Sequence, residues 1–238
     1  MKKLLSVVFL SLFYVSGLQA AGINIGVSLS GSVFEVDGGS EEFKAGHVSN
    51  VSGSAAVSKK ASAEGDNAEG AFAVGSIFVE KVLPFADERF AIGVDYVPMS
   101  MESETTENIQ KDTTAAGSEA NGTSRTNTVQ VDFEDLTTIY ATLALNENLY
   151  LKVGLMSVDV KTNESLGTGG SYKDTSLDGQ MIGIGYDREL NNGAFIRLEA
   201  NHMDLDGVTL VNSADTDKSV KADGISGYGA RISVGKSF

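Results

Sequence analysis

The sequence predicts an all-β protein, an eight-stranded antiparallel up-and-down barrel of the transmembrane type with four long outer loops and three short turns. Three observations carry this. Apolar residues recur at every second position in eight separate segments, the connections between those segments alternate between long and short, and the one continuous apolar run sits at the extreme N-terminus. Successive strand residues point to opposite faces, so period two marks a strand with one apolar and one polar side. Past its first twenty residues the chain has no apolar stretch approaching the ~20 residues of a membrane helix.

Lys2 and Lys3 form a short basic region and residues 4–15 an apolar one. Ser16, Gly17, Leu18, Gln19 and Ala20 then supply small and polar residues around a cut after Ala20. This tripartite pattern predicts a secretory signal peptide over 1–20, with the barrel domain over 21–238. No Cys follows the cut, which excludes lipid attachment there.

The first strand carries Ile23, Ile25, Val27, Leu29 and Val33, interleaved with Asn24, Gly26, Ser28, Ser30 and Ser32. The second, about 70–81, is less regular. Phe72 and Val74 share one phase and Ile77 and Val79 the other, so a bulge near 75–76 is expected. The third alternates from Phe90 through Ile92 and Val94 to Tyr96. The fourth carries Ile139, Ala141, Leu143 and Leu145, and the fifth Leu149, Leu151, Val153 and Leu155. The sixth carries Ile182, Ile184 and Tyr186, the seventh Ile196, Leu198 and Ala200, and the eighth Tyr228, Ala230, Ile232 and Val234. Each has about the ~9–11 residues that a tilted strand needs to cross a bilayer. The short connections are 83–88, 146–148 and 188–193. The long ones are 38–69, 98–134, 161–175 and 205–222, rich in Ser, Thr, Gly, Asn, Asp and Glu as solvated, mobile loops are. Val129, Val131 and Phe133 continue the odd phase of Ile139. The fourth strand is therefore expected to run past the bilayer as an external arm whose edge pairs with other chains.

The polar phase holds Asp95, Lys152, Asp187, Arg197, Glu199 and Arg231 among many Gly and Ser. In a membrane barrel this phase faces the lumen; in a soluble barrel it faces water. Alternation by itself leaves both open. An eight-stranded lumen is just wide enough for side chains to fill it, and buried charges must pair. A lumen charge network is therefore expected, with Arg231 reaching Glu199 from the next strand and Lys152 and Asp187 joining. It serves as an interior plug or, alternatively, as the gate of a narrow ion path.

Composition narrows the function. Lys+Arg number 18 against Asp+Glu 32, for a formal net charge of −14, with no Cys and 2 His. No basic patch exists to meet nucleic acid. Disulfide scaffolds, thiolate chemistry and His/Cys metal centres are excluded, and no cofactor is expected. Glu102, Glu104, Glu107, Asp112, Glu119, Asp132, Glu134 and Asp135, with Asp204, Asp206, Asp215 and Asp217, make acidic loops without an ordered calcium spacing; solvation is expected there rather than a Ca²⁺ site. Phe34, Tyr96, Tyr150 and Tyr186 are expected as interfacial girdle residues. The Gly224, Gly227 and Gly229 run lies within a strand and cradles no phosphate. Asn121-Gly122-Thr123 is an uninformative acceptor triplet.

The chain ends in Phe238, preceded at alternate positions by Lys236, Val234, Ile232, Ala230 and Tyr228. This resembles the C-terminal assembly signal of bacterial outer-membrane barrels, in which a terminal aromatic follows alternating apolar residues. Lys236 departs from the usual apolar or aromatic third-last position. The span from Ala21 to Phe238 resembles the small eight-stranded outer-membrane barrel family, which includes opacity-type surface antigens and the transmembrane domain of outer membrane protein A. The resemblance implies export to the bacterial outer membrane and insertion by the barrel-assembly machinery, which reads Tyr228, Ala230, Ile232, Val234 and Phe238. It also implies contact with outer-membrane lipid and lipopolysaccharide. Eight-stranded lipid A deacylases are similar in carrying a His near the outer interface, as His202 is here, but Asp204 stands where they have a Ser, so no hydrolase is expected. The expected role is structural, or surface interaction through the acidic outer loops; the alternative is a narrow channel for ions or small solutes.

Overall fold

The computed structural model describes residues 22–44, 56–60, 68–112 and 123–238. The signal-peptide segment, Glu119, Asn121 and Gly122 lie outside them. The strands are β1 (Ile23–Asp37), β2 (Ser40–Lys44), β3 (Ala56–Lys60), β4 (Ala68–Val82), β5 (Phe90–Tyr96), β6 (Met101–Glu102), β7 (Thr106–Asp112), β8 (Thr123–Ala144), β9 (Leu149–Leu166), β10 (Thr175–Glu189), β11 (Ala194–Val211) and β12 (Lys218–Ser237). Eight of them close a ring. The antiparallel order runs β1-β4-β5-β8-β9-β10-β11-β12, and β12 returns to pair with β1. The seam is tied at the chain ends, where the Gly22 N–H donates to the Phe238 carbonyl at 2.6 Å. A closed ring leaves no strand edge within the membrane, which hydrocarbon would not tolerate.

The connections differ from expectation on the loop side. Much of the expected loop is strand. β8 runs for 22 residues, β12 for 20, and β9 and β11 for 18 each. The connection expected over 205–222 shrinks to 212–217. β2 pairs with β12 and β3 with β2, while β6 and β7 line β8. A wall of sheet therefore rises above the membrane segment. The β7–β8 hairpin is the arm that the fourth strand's length predicted.

Below that wall the sidedness is that of a membrane barrel. Ile25, Val27, Leu29, Leu151, Val153, Leu155, Ile182, Leu198 and Ile232 face outward and exposed, Leu155 at 71%. Asn24, Ser28, Ser76, Asp95, Lys152 and Glu199 are buried inside. Hydrocarbon surrounds this half, so the apolar phase turns out and the polar phase in.

In the upper half the phases exchange. Met156, Val158, Val160, Leu177, Met181, Met203, Leu205 and Ile225 form an apolar core inside the wall, with Phe34, Val36, Val131, Phe133, Leu136 and Val208 packed against it. The lumen is thus not polar throughout, as the pattern of the membrane segment alone implied. Water surrounds this half, so its apolar residues hide from it inward. The change explains the irregular second strand. β4 pairs with β1 in unbroken register from Ile23↔Lys81 to Val36↔Ala68, so the bulge expected near 75–76 does not exist. Ile77 is exposed to lipid, while Phe72 belongs to the upper half and meets Phe34 and Phe133 at 6.1 Å each.

β8 reaches the same end by geometry. Its pairing with β9 shifts register between Glu134 and Thr137, and Asp135 sits at φ 54°. This bulge reverses the faces, so Val131 and Phe133 turn inward although they share parity with Ile139, against expectation.

The two halves are expected to respond differently to truncation. Leu177→Ala empties a dry core position that is 3% exposed and should cost ~2–5 kcal/mol. Leu155→Ala replaces one lipid-facing side chain with lipid and should cost much less. Urea unfolding of the barrel from lipid vesicles measures both.

Candidate functional site

The interior of the membrane half is the strongest concentration of chemistry in the protein. At the turn end, Glu80 is 1% exposed. Its carboxylate accepts Arg197 Nη1 at 3.1 Å and Nη2 at 3.0 Å in a fork, and Asn24 Nδ2 at 2.8 Å. Arg197 Nε donates to Asp187 Oδ2 at 2.7 Å. One layer up, Lys152 Nζ donates to both oxygens of Glu199 at 3.2 and 3.1 Å, and the Tyr150 hydroxyl donates to Glu199 Oε2 at 3.1 Å. Lys152 also lies 4.3 Å from the centre of the Tyr140 ring. A third group joins Arg231 to Asp95, with Arg231 Nη2 also donating to Ser28 Oγ at 2.6 Å and Ser76 Oγ at 3.0 Å. Bidentate and charge-assisted bonds of this kind are what allow charges to stay out of water. Glycine makes room for the aromatic fill: a Cβ at Gly93 would strike the Tyr140 ring and one at Gly185 the Tyr150 ring.

All six charges singled out in the sequence lie here. One pairing differs from the expected one. Arg231 faces Glu199 in strand register, but Lys152 and Tyr150 already hold the Glu199 oxygens, and the guanidinium reaches Asp95 instead. Glu80 was not singled out, because the mixed phase of its strand hid which face it took.

Among the described residues the lumen offers no open route. Around Phe78, Tyr140, Lys152, Glu199 and Arg231 the free volume is about 10 Å³, roughly the room of one water. The turn-side mouth opens to a vestibule of about 260 Å³ floored by Glu80, Tyr150, Asp187 and Arg197. On the loop side the apolar core closes the passage.

The other expected positions divide. Tyr186 is exposed on the outward face, and the Tyr96 hydroxyl donates to Asp135 Oδ1 at 2.6 Å at the upper boundary. Phe34 and Tyr150 are not girdle residues: Phe34 packs on the upper core and Tyr150 is buried on Glu199. His202 stacks on Tyr228 with ring centres 4.6 Å apart; its Nδ1 is 3.0 Å from the Gly227 carbonyl and its Nε2 3.3 Å from Asp204 Oδ2. Tyr228, Ile232 and Val234 are exposed along the outward face of β12, and Phe238 is exposed just beyond its end. Of the acidic loop residues, Asp132 accepts Asn163 at 2.6 Å and Glu134 pairs with Lys161 at 2.5 Å. Among the described residues no group of three or more His, Asp or Glu is placed to hold a metal.

Outside the membrane, burial beside Glu41 pushes the Tyr172 hydroxyl up to about 12. The neutral phenol is favoured in the fold, so this contribution is intact below the ordinary value of 10 and is lost as pH climbs from there towards 12. Ultraviolet titration should show one tyrosine ionising near pH 12 that Tyr172→Phe removes.

No protein-family model matches the chain, and no curated protein matches it. Solved structures that are similar include the Neisserial surface protein NspA (9% identity, 92% of this chain and 98% of that one, TM-score 0.40), outer membrane protein AlkL (13%, 92% and 90%, 0.44) and OprG of Pseudomonas aeruginosa (13%, 92% and 96%, 0.41).

Proposed function

We propose that the protein is an integral bacterial outer-membrane barrel, exported through a cleaved signal peptide, that holds a rigid sheet above the membrane as a surface for interaction. The observation that carries this is the exchange of faces along the strands. Above the turn-side vestibule charged groups fill the membrane half and a dry apolar core fills the upper half, so the interior is packed rather than open. In this orientation the chain ends and short turns face the periplasm and the long strands face outward, as in outer-membrane barrels generally. The acidic residues of β6–β9 lie on the raised wall, where a partner meets them. An interior of paired charges and packed apolar groups supports a structural role for the barrel.

The test is removal of the raised arm. Deleting residues 101–128 should abolish binding to cells, lipopolysaccharide or partner proteins while the barrel still shifts its gel mobility on boiling. Unchanged binding by such a folded variant would overturn the surface role. Planar-bilayer recording addresses the channel alternative: the plugged lumen predicts no steady conductance, and a conductance altered by Arg231→Ala would favour a channel instead.

A further inference from the structure

We propose that the raised wall takes up an extended basic segment of a partner protein as an added strand, in a seam between β4 and the β6–β7 side. The proposal rests on the surface role above and names the partner's chemistry.

The seam begins where a ladder stops. The Leu83 N–H donates to the Phe90 carbonyl at 2.8 Å, so odd residues of β4 and even residues of β5 turn their main-chain groups towards each other. Ile77 and Tyr96 are the last such pair. The next would join Gly75 to Pro98, and proline has no N–H to donate. The chain stays with β8 instead. The Val97 N–H donates to the Leu136 carbonyl at 2.9 Å, and β6 and β7 pair with β8. Charge also keeps the two sides apart, since the same register continued would set Glu69 opposite Glu104. Among the described residues no strand pairs with this side of β4 above Ile77.

The open edge is regular. From its other side β4 is held by β1, in pairs that run up to Val36↔Ala68. The N–H groups of Glu69, Ala71, Ala73 and Gly75 therefore point into the seam as one row, ~20 Å long at ~3.3 Å per residue. Ile77 is exposed to lipid and the Tyr96 hydroxyl marks the boundary at Asp135, so the row lies above the membrane, in water. Unpaired edges of this kind template pairing with another chain.

Side chains choose the strand. Exposed carboxylates flank the seam, Glu69 on β4 and Glu102, Glu104 and Glu107 on the opposite side. Segments 68–76 and 97–107 hold no Lys or Arg. Facing inward, Phe72 and Val74 are half-buried, and Phe72 meets Phe133 beside the upper core. A strand that alternates basic side chains outward with apolar side chains inward satisfies both faces. The loop stretches 45–55, 61–67 and 113–122 of this chain hold no Lys or Arg, so neither they nor a second copy's loops supply such a strand.

The experiment is amide hydrogen exchange, read by NMR, on the full mature barrel in lipid nanodiscs with a synthetic peptide of about nine residues alternating Lys and Val. Gel shift on boiling checks that every sample is folded. With the peptide, the amides of Glu69, Ala71, Ala73 and Gly75 are expected to exchange at least tenfold more slowly. Those of Gly70, Phe72 and Val74, which face β1, should not change. Ala73→Pro removes a central donor of the row and leaves the β1 ladder whole, so it should cut peptide affinity at least tenfold in a barrel that keeps its gel shift. A Glu–Val peptide should protect nothing. Edge amides left unprotected under excess Lys–Val peptide, or unchanged affinity in Ala73→Pro, would overturn the added strand. Equal protection by the Glu–Val peptide would overturn the basic partner. Protection already present without peptide would mean that this chain or a second copy fills the seam, which overturns the proposal too. Deleting 101–128 remains the separate test of the surface role: a wild type that binds cells through that arm but shows no edge protection fails at the seam alone.

Discussion

Arg197→Met is expected to destabilise the folded barrel by ~3–5 kcal/mol, because it leaves one partner of a buried ion pair behind. Glu80 is almost fully enclosed, and without the guanidinium it keeps only the single hydrogen bond from Asn24 at 2.8 Å. Asp187, the other partner of Arg197, is far less affected, since its side chain lies on the vestibule and remains 27% exposed. Replacing both partners, Glu80→Leu with Arg197→Met, should recover most of the loss, since apolar groups of similar volume often match a buried pair. Urea unfolding of the protein refolded into vesicles supplies both numbers. A single variant as stable as wild type would mean that water from the vestibule already solvates Glu80.

Deleting Asp135 should detach the outer wall while leaving the membrane half in place. The bulge there is what turns Val131 and Phe133 inward. Removing one residue reverses every side chain of β8 above it. Asp132 and Glu134 would then point into a core of Met156, Val158 and Met203, and each unpaired carboxylate there costs several kcal/mol. The chain avoids that cost by releasing the arm, so surface protease should cut within 123–134 while the barrel keeps its gel shift. Asp135→Asn is the control. Asn tolerates a left-handed backbone at φ 54° and keeps an acceptor for the Tyr96 hydroxyl. An arm that resists protease after the deletion would show that the faces are pinned by packing alone.

Some features of this protein are local and were legible. Period two in Ile25, Val27 and Leu29, or in Leu149, Leu151 and Val153, marks strands without reference to the rest of the chain, because the pleat forces it. The rhythm of short and long connections orders those strands into a ring. The six charges on the polar phase were legible for the same reason: parity places them on one face. The second strand was misread because a change of surroundings and a bulge leave the same trace in a sequence, a shift of apolar phase. On β8 the reverse occurred, and an unbroken phase concealed a real bulge.

Strand identity, ring order and the alternation of apolar and polar faces follow from neighbours along the chain, within reach of pleat sterics and hairpin length. Which charges meet does not. Glu80 and Arg197 are 117 positions apart and Asp95 and Arg231 136 apart, and they touch only because the ring closes and brings opposite walls of a narrow lumen together. The level at which the barrel leaves the hydrocarbon is likewise a property of all eight strands at once. Only there does the favourable direction for an apolar side chain change from outward to inward.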